Sequence, residues 1–339
     1  MYGREEHEKQ VESMIVKKMQ NTPFYIAHYM RTFTRKSYTT KLAYLNFTLE
    51  FLTYLQTEYG YNINDVNIFS DIKPSLINGY LDYLSKLEKQ TKNGKTIING
   101  DSIQCRKFYA IKHFFKFLLN DEYITKNPCD TVEPPKVNDE INIIAMNERE
   151  ISVFLNNVLT GVGTDRAKAR QKKWKNRDYA IMTLALALGL RVASITEINV
   201  DDINFNTNTL MVTEKGNVTR TLKFSDNIKN ILLTWLEDRE DILGTTYCDA
   251  LFISNQKSRI TTKTIRELVD KYSVGIDKHI TPHKLRSTCG TNVYTKTGDI
   301  YLTADVLGHR NIQNTRRYAK IVDEKRKLAT QAMDAVLFK

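Results

Sequence analysis

Prolines divide this chain into two parts. Three of the six prolines, Pro128, Pro134 and Pro135, fall in one short polar stretch. Proline cannot continue a helix, and it restricts the preceding residue to extended backbone. At 339 residues the chain is also longer than one ordinary hydrophobic core supports. We therefore predict a helical first domain over residues 1–126, a linker over 127–146 and a second domain over 147–339.

Two apolar stripes predict that the first domain is helical throughout. Apolar residues recur at helical spacing in the segment 37–56 and again in a segment that ends near residue 118, as expected for helices packed on a core. The stripe residues are Leu42, Leu45, Leu49, Leu52, Phe108, Ile111, Phe115 and Leu118.

The charge of the chain narrows its possible partners. The 50 Lys and Arg residues exceed the 39 Asp and Glu residues, which gives a net charge of +11. Such an excess favours a polyanionic partner, either nucleic acid or an anionic membrane surface, although solvated lysines on a basic protein are the alternative. Acidic residues are sparse around 31–41 and 89–95, where phosphate contact and a solvated face are both open.

Neither a membrane span nor a metal site is predicted. The longest apolar stretch, 180–190, is too short to cross a bilayer, and the N-terminus lacks a hydrophobic signal region, so a cytoplasmic location is expected. Cys105, Cys129, Cys248 and Cys289 show no paired spacing. They are predicted to be reduced thiols, with no disulfide framework, zinc site or cofactor.

The second domain mixes helices with a small sheet. Asn147, with Glu150 three residues later, predicts the capped start of a helix. The basic segment 164–177 around Trp174 is interpreted as a mobile loop near a binding surface or as a solvated insertion. After Asp202 the hydrophobic period becomes alternating, which predicts three short antiparallel strands with Lys215 in the second turn. The fold class is therefore mainly α with a small antiparallel β-sheet.

Basic and aromatic side chains sit beside predicted helix ends in this domain. Arg191 directly follows an apolar helix, so it is either a solvated cap or a charge in a cleft. Pro282 predicts a helix start, which places His283 and Arg286 on one face near the positive end of that helix, where an anion is favoured.

The most specific signal lies near the C-terminus. Gly308 predicts a helix end and Asn311 the cap of the next short helix. His309 then lies in the turn, and Tyr318 lies two helical turns further on. One tyrosine among 18 is a weak signal by itself.

Together these side chains suit phosphoryl transfer. Arg191 and Arg286 can bind two non-bridging phosphate oxygens and stay charged. Tyr318 can attack phosphorus and conserve the bond energy in a phosphotyrosyl enzyme, so neither metal nor ATP is required. A lysine on a mobile turn, Lys215, can protonate the departing 5′-oxygen, and His283 or His309 can assist.

Four ordered segments resemble the tyrosine recombinase (phage integrase) family. Ala187–Val192 resembles the first-arginine motif of that family, and Thr213–Arg220 its lysine hairpin. Pro282–Ser287 matches its His-x-x-Arg motif. Leu307–His309 matches its closing motif, and Tyr318 follows at the family's nine-residue interval.

The resemblance implies that Tyr318 is the nucleophile, that Arg191 and Arg286 clamp the phosphate and that Lys215 is the general acid, assisted by His283 and His309. It also implies a C-shaped clamp around duplex DNA, with residues 30–126 as a core-binding domain. Strand exchange would proceed through a Holliday junction in a homotetramer, with the terminal helix packed in trans. The residues predicted to contact DNA are Arg31, Arg35, Lys36, Lys41, Lys92, Lys95, Arg106, Lys107, Lys173 and Arg220.

One departure and several alternatives remain. Many members carry an acid three residues after the first arginine, where this chain has Ser194, so the support of Arg191 is uncertain. An integrase of a mobile element and a chromosome-dimer resolvase of Xer type fit equally well. A type IB topoisomerase and a non-catalytic DNA-binding regulator are further alternatives.

Overall fold

The chain divides into two compact units, Tyr2–Glu140 and Ile141–Lys339. The computed structural model describes residues 2–90, 96–137, 144–214, 218–309 and 311–319, together with 331, 333, 334 and 337. These residues form mainly helices with a few short antiparallel strands, as predicted. In this described part of the chain, no helix is long and apolar enough to cross a membrane.

The first unit is helical except for one hairpin. Its elements are α1 (Tyr2–Met19), α2 (Phe24–Arg31), α3 (Tyr38–Tyr59), a 3-10 helix (Val66–Asp71), α4 (Pro74–Lys86), β1 (Glu88–Gln90), β2 (Thr96–Ile98) and α5 (Asp101–Asn120). The prediction of helix throughout is wrong at β1–β2, which pair antiparallel. The β-branched run 96–98 favours extended backbone, and a strand of three residues is too short to interrupt the helical pattern on either side of it.

Aromatic rings fill the core of the first unit. Tyr29, Phe51, Phe69 and Phe114 are fully or almost fully buried, and the Tyr29 and Phe114 rings meet edge to face with centroids 5.2 Å apart. The predicted stripes of α3 and α5 pack into or against this core. Burial of these rings, together with the aliphatic side chains around them, stabilises the unit.

The second unit carries the remaining elements. They are α6 (Glu148–Thr160), α7 (Asp165–Lys172), α8 (Lys175–Ala187), α9 (Val192–Glu197), a 3-10 helix (Val200–Asp202), β3 (Ile203–Asn204), β4 (Thr209–Glu214), β5 (Val218–Lys223), α10 (Asp226–Leu243), α11 (Thr262–Tyr272), α12 (Pro282–Thr297), α13 (Ile300–Leu307) and α14 (Gln313–Ala319). Its core includes the fully buried Trp235.

The polar residues at helix starts act largely as the sequence predicts. Asn147 and Glu150 form a capping box at the start of α6. Asn311 accepts a hydrogen bond from the backbone N–H of Gln313 ahead of α14. The basic segment 164–177 is not a loop, because Thr164 caps the short helix α7 and α8 begins soon after it.

The small sheet has the predicted antiparallel order β3–β4–β5. Leu210 pairs with Leu222, Val212 with Arg220, and the last pair is Glu214 with Val218. Alternate residues of a strand point to the same face. Leu210 and Val212 are buried, so Glu214 at the end of β4 is directed to the buried face as well.

Candidate active site

The end of α8 forms a tight turn that presents Arg191. Gly189 has a φ of +58°, and a Cβ atom there would lie 2.7 Å from Cδ2 of Leu307, so both the backbone conformation and the space require glycine. Arg191 then precedes the first residue of α9 and keeps about a third of its side chain exposed. The turn thus packs against Leu307 of α13 at Gly189 and leaves the guanidinium of Arg191 accessible.

Arg286 connects this turn to the end of α13. It lies in α12 with 2% of its surface exposed. Its guanidinium donates hydrogen bonds to the carbonyl oxygens of Gly189 and Leu307. A buried cation needs such partners, and the last carbonyls of a helix are favourable ones because they carry the negative end of the helix dipole.

Glu214 lies between two arginines. Its Oε2 forms an ion pair with Nη1 of Arg191, and its Oε1 lies 2.9 Å from Nη2 of Arg220 and accepts a hydrogen bond of 3.0 Å from Nε of Arg220. Arg220 also donates hydrogen bonds of 2.9 and 3.0 Å to the carbonyl oxygens of Asp305 and Val306. The end of α13 is therefore held by guanidinium groups from β5 and α12.

Gly308 covers the ion pair between Glu214 and Arg220. It ends α13 in left-handed backbone at a φ of +59°. A Cβ atom there would lie 2.8 Å from Oε1 of Glu214 and 2.9 Å from Nε of Arg220. The predicted helix end therefore packs directly against the charged cluster, and a side chain at residue 308 would meet it.

Burial and the neighbouring arginines both lower the pKa values of Arg191 and Arg286. Burial lowers the pKa of Arg191, and the charge of Arg220 lowers it further. Burial lowers the pKa of Arg286 to about 9, with further lowering by Arg191 and Arg220 and an opposing effect of Tyr318. Since this value lies above neutral pH, Arg286 remains a cation, and its surroundings favour an incoming anion.

His309 links the end of α13 to the helix that carries Tyr318. Its backbone N–H donates a 2.9 Å hydrogen bond to the carbonyl oxygen of Ala304. Its ring Nδ1 lies 2.9 Å from the hydroxyl oxygen of Thr315, which is fully buried on α14. Thr315 precedes Tyr318 by three residues, so the two side chains share a face of the helix.

Tyr318 is held in an apolar pocket. It is 1% exposed and packs with Cys289 and Leu307. Gly290 leaves the space for its ring, because a Cβ atom there would lie 2.8 Å from Cζ of Tyr318. The phenol is near enough to Arg286 to affect its pKa. The tyrosine is therefore stored beside the arginine cluster and is not presented to solvent.

Of the two remaining predicted site residues, the structure describes His283 and does not describe Lys215. His283 is exposed in the first turn of α12, three residues before Arg286. Lys215 lies outside the described residues. The structure thus brings Arg191, Arg286, His309 and Tyr318 together around the end of α13. In the described ranges, no group of three His, Cys, Asp or Glu side chains could hold a metal ion.

Two of the predicted DNA contacts require correction. Lys107 is 2% exposed, and its ammonium forms an ion pair with Glu50 at 2.8 Å, so it belongs to the core of the first unit. Arg220 is engaged by Glu214 and α13 as described above. The other described members of the set are exposed or, at Lys41, partly exposed: Arg31, Arg35, Lys36, Lys41, Arg106 and Lys173. Lys92 and Lys95 lie outside the described residues.

The sequence prediction missed Glu214. The signal was present, because the alternation of Leu210 and Val212 directs residue 214 to the buried face of β4. A buried carboxylate requires a cationic or hydrogen-bonding partner. The arginine of the first motif and the arginine of the hairpin were both available in the sequence as such partners.

Comparison with known proteins agrees with this geometry. Residues 162–325 match the model of the phage integrase family. Tyrosine recombinase XerC of Alcanivorax borkumensis is 28% identical over 239 residues, which cover 70% of this chain and 72% of that protein. Residues 162–325 therefore form a domain of the phage integrase family, and the chain resembles the tyrosine recombinases. It is a site-specific recombinase, an enzyme of the class that cleaves and rejoins DNA.

Solved recombinase structures share the fold. The XerH site-specific recombinase bound to palindromic difH substrate aligns with a TM-score of 0.65 and 17% identity, over 88% of this recombinase and 81% of that chain. A lambda integrase tetramer bound to a Holliday junction aligns with a TM-score of 0.62 and 14% identity, over 87% of this chain and 76% of that one. At such identities the likeness extends to the fold alone.

Proposed function

We propose that this recombinase cleaves one DNA strand at a time by attack of Tyr318 on a backbone phosphodiester. The Oη–P bond forms as the bond from phosphorus to the 5′-oxygen breaks, which leaves a 3′-phosphotyrosyl enzyme. His283 accepts the proton that the phenol loses, and the departing oxygen gains one from Lys215. The reverse attack of a 5′-hydroxyl rejoins the strand, so neither ATP nor a metal ion is consumed or required.

The observation that carries the proposal is the convergence of Arg191, Arg286 and Tyr318 at the end of α13. Arginine forks suit the non-bridging oxygens of the transition state, and a site that is largely removed from water strengthens the attraction. His309 orients α14 through Thr315, and His283 lies one turn from Arg286 on α12, where it can assist proton transfer.

In this resting arrangement the nucleophile is withheld. Tyr318 is buried, and the guanidinium of Arg286 is occupied by two carbonyl oxygens. Attack therefore requires α14 to leave its pocket and Arg286 to exchange a carbonyl partner for phosphate. We expect DNA binding to supply the energy for this change.

The proposed assembly is a homotetramer on two synapsed sites, with strand exchange through a Holliday junction, as in the lambda integrase complex. We further propose that the C-terminal segment packs on a neighbouring copy. An open cavity of about 550 Å³, lined in part by Ile151, Leu186 and Val293, offers an apolar place for it. Each copy would bind duplex DNA with both the domain 1–126 and the domain 147–339, in the cytoplasm.

Two roles fit this chemistry, integration or excision of a mobile element and resolution of chromosome dimers, and the likeness to XerC supports the second. A plasmid carrying two sites distinguishes recombination from simple relaxation of supercoils, which a topoisomerase would give.

A suicide substrate tests the nucleophile. With a site nicked just downstream of the cleavage point, the short fragment that carries the new 5′-hydroxyl diffuses away, and the wild-type enzyme should give a covalent complex that survives a denaturing gel. Tyr318→Phe should bind the same DNA and give none. Tyr301→Phe is the matched control, because Tyr301 is 75% exposed on α13 and should retain the complex. A covalent band from Tyr318→Phe would contradict the assignment.

A further inference from the structure

A buried carboxylate in the arginine cluster has no role in the reaction as proposed above. Glu214 is 7% exposed and contacts both Arg191 and Arg220. Placing a carboxylate beside a phosphate-binding arginine opposes the binding of an anion by like charge. Burial of its charge is also costly unless every partner is well placed. A feature with two such costs needs a compensating function.

The geometry of the cluster indicates what that function is. Arg191 lies in the turn before α9 and keeps part of its guanidinium exposed, while Nη1 is fixed on Glu214. Glu214 is in turn fixed by the two contacts with Arg220 and is covered by Gly308. One end of the guanidinium is therefore anchored to the sheet, and the exposed part is held in one orientation.

Glu214 also changes the charge of the cluster. Arg191, Arg220 and Arg286 are cations and Glu214 is a single carboxylate among them, so it offsets part of their mutual repulsion while the three arginines still attract a phosphate.

We propose that Glu214 is the positioning residue for Arg191, which it holds in the orientation that binds the reacting phosphate. The inference rests on the proposed function, because it assigns a role in strand cleavage. Position 194 is a second place from which a carboxylate could reach Arg191. Ser194 follows Arg191 by three residues, and its hydroxyl donates a 3.2 Å hydrogen bond to the carbonyl oxygen of Thr213, next to Glu214.

The first experiment replaces the carboxylate by an amide of the same shape. A glutamine side chain has one acceptor oxygen and one donor nitrogen, so Glu214→Gln can accept from Arg191 or from Arg220 but not from both. We expect the rate of covalent-complex formation on the suicide substrate to fall about 10- to 100-fold, as for a misplaced catalytic group. Affinity for the DNA site and the unfolding temperature should change little.

Glu197→Gln is the matched control. Glu197 lies at the end of the same helix α9, and no ion pair of this residue is recorded within the part of the chain that the structure describes. It should cleave at the wild-type rate. Wild-type cleavage by Glu214→Gln would overturn the proposal, and so would loss of the folded state, because the carboxylate would then be a requirement of folding.

A second experiment separates positioning from a merely structural role. Glu214→Ala opens space at the end of β4, and Ser194→Glu added to it supplies a carboxylate one helical turn from Arg191. The double variant should cleave at least about tenfold faster than Glu214→Ala alone. A folded double variant without this gain would contradict the inference.

Strand cleavage by Tyr318 and the positioning role of Glu214 can be contradicted separately. If the wild-type enzyme forms a covalent complex that depends on Tyr318 while Glu214→Gln is equally active, only the role of Glu214 is wrong. If the wild-type enzyme forms no covalent complex at its site, the proposed function fails and the role of Glu214 fails with it.

Discussion

Gly308 is the position where a single methyl group should disturb both stability and catalysis. Its φ of +59° lies in the left-handed region, and a Cβ atom would lie 2.8 Å from Oε1 of Glu214 and 3.0 Å from Cζ of Arg220. Neither neighbour can move freely, because each is fixed by the other and Arg220 is also bonded to the end of α13. Gly308→Ala should therefore affect both the free energy of unfolding and the rate of cleavage.

The expected loss of stability has two parts. Left-handed backbone costs a residue with a Cβ atom about 1–2 kcal/mol. Overpacking against groups that cannot yield costs about 1–3 kcal/mol more. The restricted unfolded chain of the alanine variant returns about 0.4–1 kcal/mol. We expect a net loss of roughly 1–4 kcal/mol in the free energy of unfolding of the unit that contains residue 308.

Gly275→Ala isolates the steric part. Gly275 has a φ of +81° in the same unit, but a Cβ atom there would meet only Cγ1 of Val153, at 3.9 Å. The two variants share the backbone cost, so the difference between them should be about 1–3 kcal/mol. For a unit of this size, that corresponds to about 2–12 °C in the melting temperature.

Scanning calorimetry of the full chain with both variants measures this difference, and the suicide substrate measures cleavage. Gly308→Ala should also cleave more slowly than Gly275→Ala, because the displaced Glu214 no longer fixes Arg191. Equal melting temperatures for the two variants would show that the Glu214–Arg220 pair yields to a methyl group. The rigidity on which the reasoning depends would then be wrong.

Two further substitutions test the storage of the nucleophile and the corrected DNA contacts. Gly290→Ala should speed covalent-complex formation severalfold. A Cβ atom there would lie 2.7 Å from Cδ1 of Leu307 and 2.8 Å from Cζ of Tyr318, so overpacking costs the stored arrangement of α13 and α14 about 1–3 kcal/mol, while alanine favours the helix by about 1 kcal/mol. An unchanged or slower rate contradicts this. Two neighbouring residues of α5 should separate DNA binding from stability. Arg106→Met should weaken DNA binding and lower its salt dependence by about one ion without changing the melting temperature. Lys107→Met should instead change the melting temperature, because the Lys107 side chain is buried and paired with Glu50. Equal effects of the two on DNA affinity in a salt titration would contradict the burial of Lys107.

Much of the fold was predictable because local signals and packing agree. The cap at Asn147, the proline at the start of α12 and the glycine at the end of α13 act as the sequence indicates. The hairpin β1–β2 and the helix α7 were not predicted. Strands of three residues lie below the length at which an alternating pattern is distinguishable from noise. The basic composition of the segment 164–177 suggested a loop, but Thr164 caps a short helix there.

The members of the site were more predictable than their partners. Arg191, Arg286 and Tyr318 stand in motifs with fixed spacing, and the structure places them at one end of α13. The state of the site did not follow from the motifs. Which carbonyls Arg286 engages, and the burial of Tyr318, depend on contacts between residues far apart in the sequence. Lys107 shows the same limit, since one helical stripe cannot tell a solvated lysine from one paired with Glu50.

We propose that residues 305–309 and α14 connect DNA binding to release of Tyr318. The carbonyl of Leu307 occupies Arg286, Gly308 covers the Glu214–Arg220 pair, and His309 holds α14 through Thr315. A phosphate that binds Arg286 competes with that carbonyl and so weakens the hold on the end of α13. Any weakening there is transmitted to α14, because His309 follows Gly308 directly. By linkage, a variant that loosens the stored Tyr318 should then bind its DNA site more tightly as well as cleave it faster.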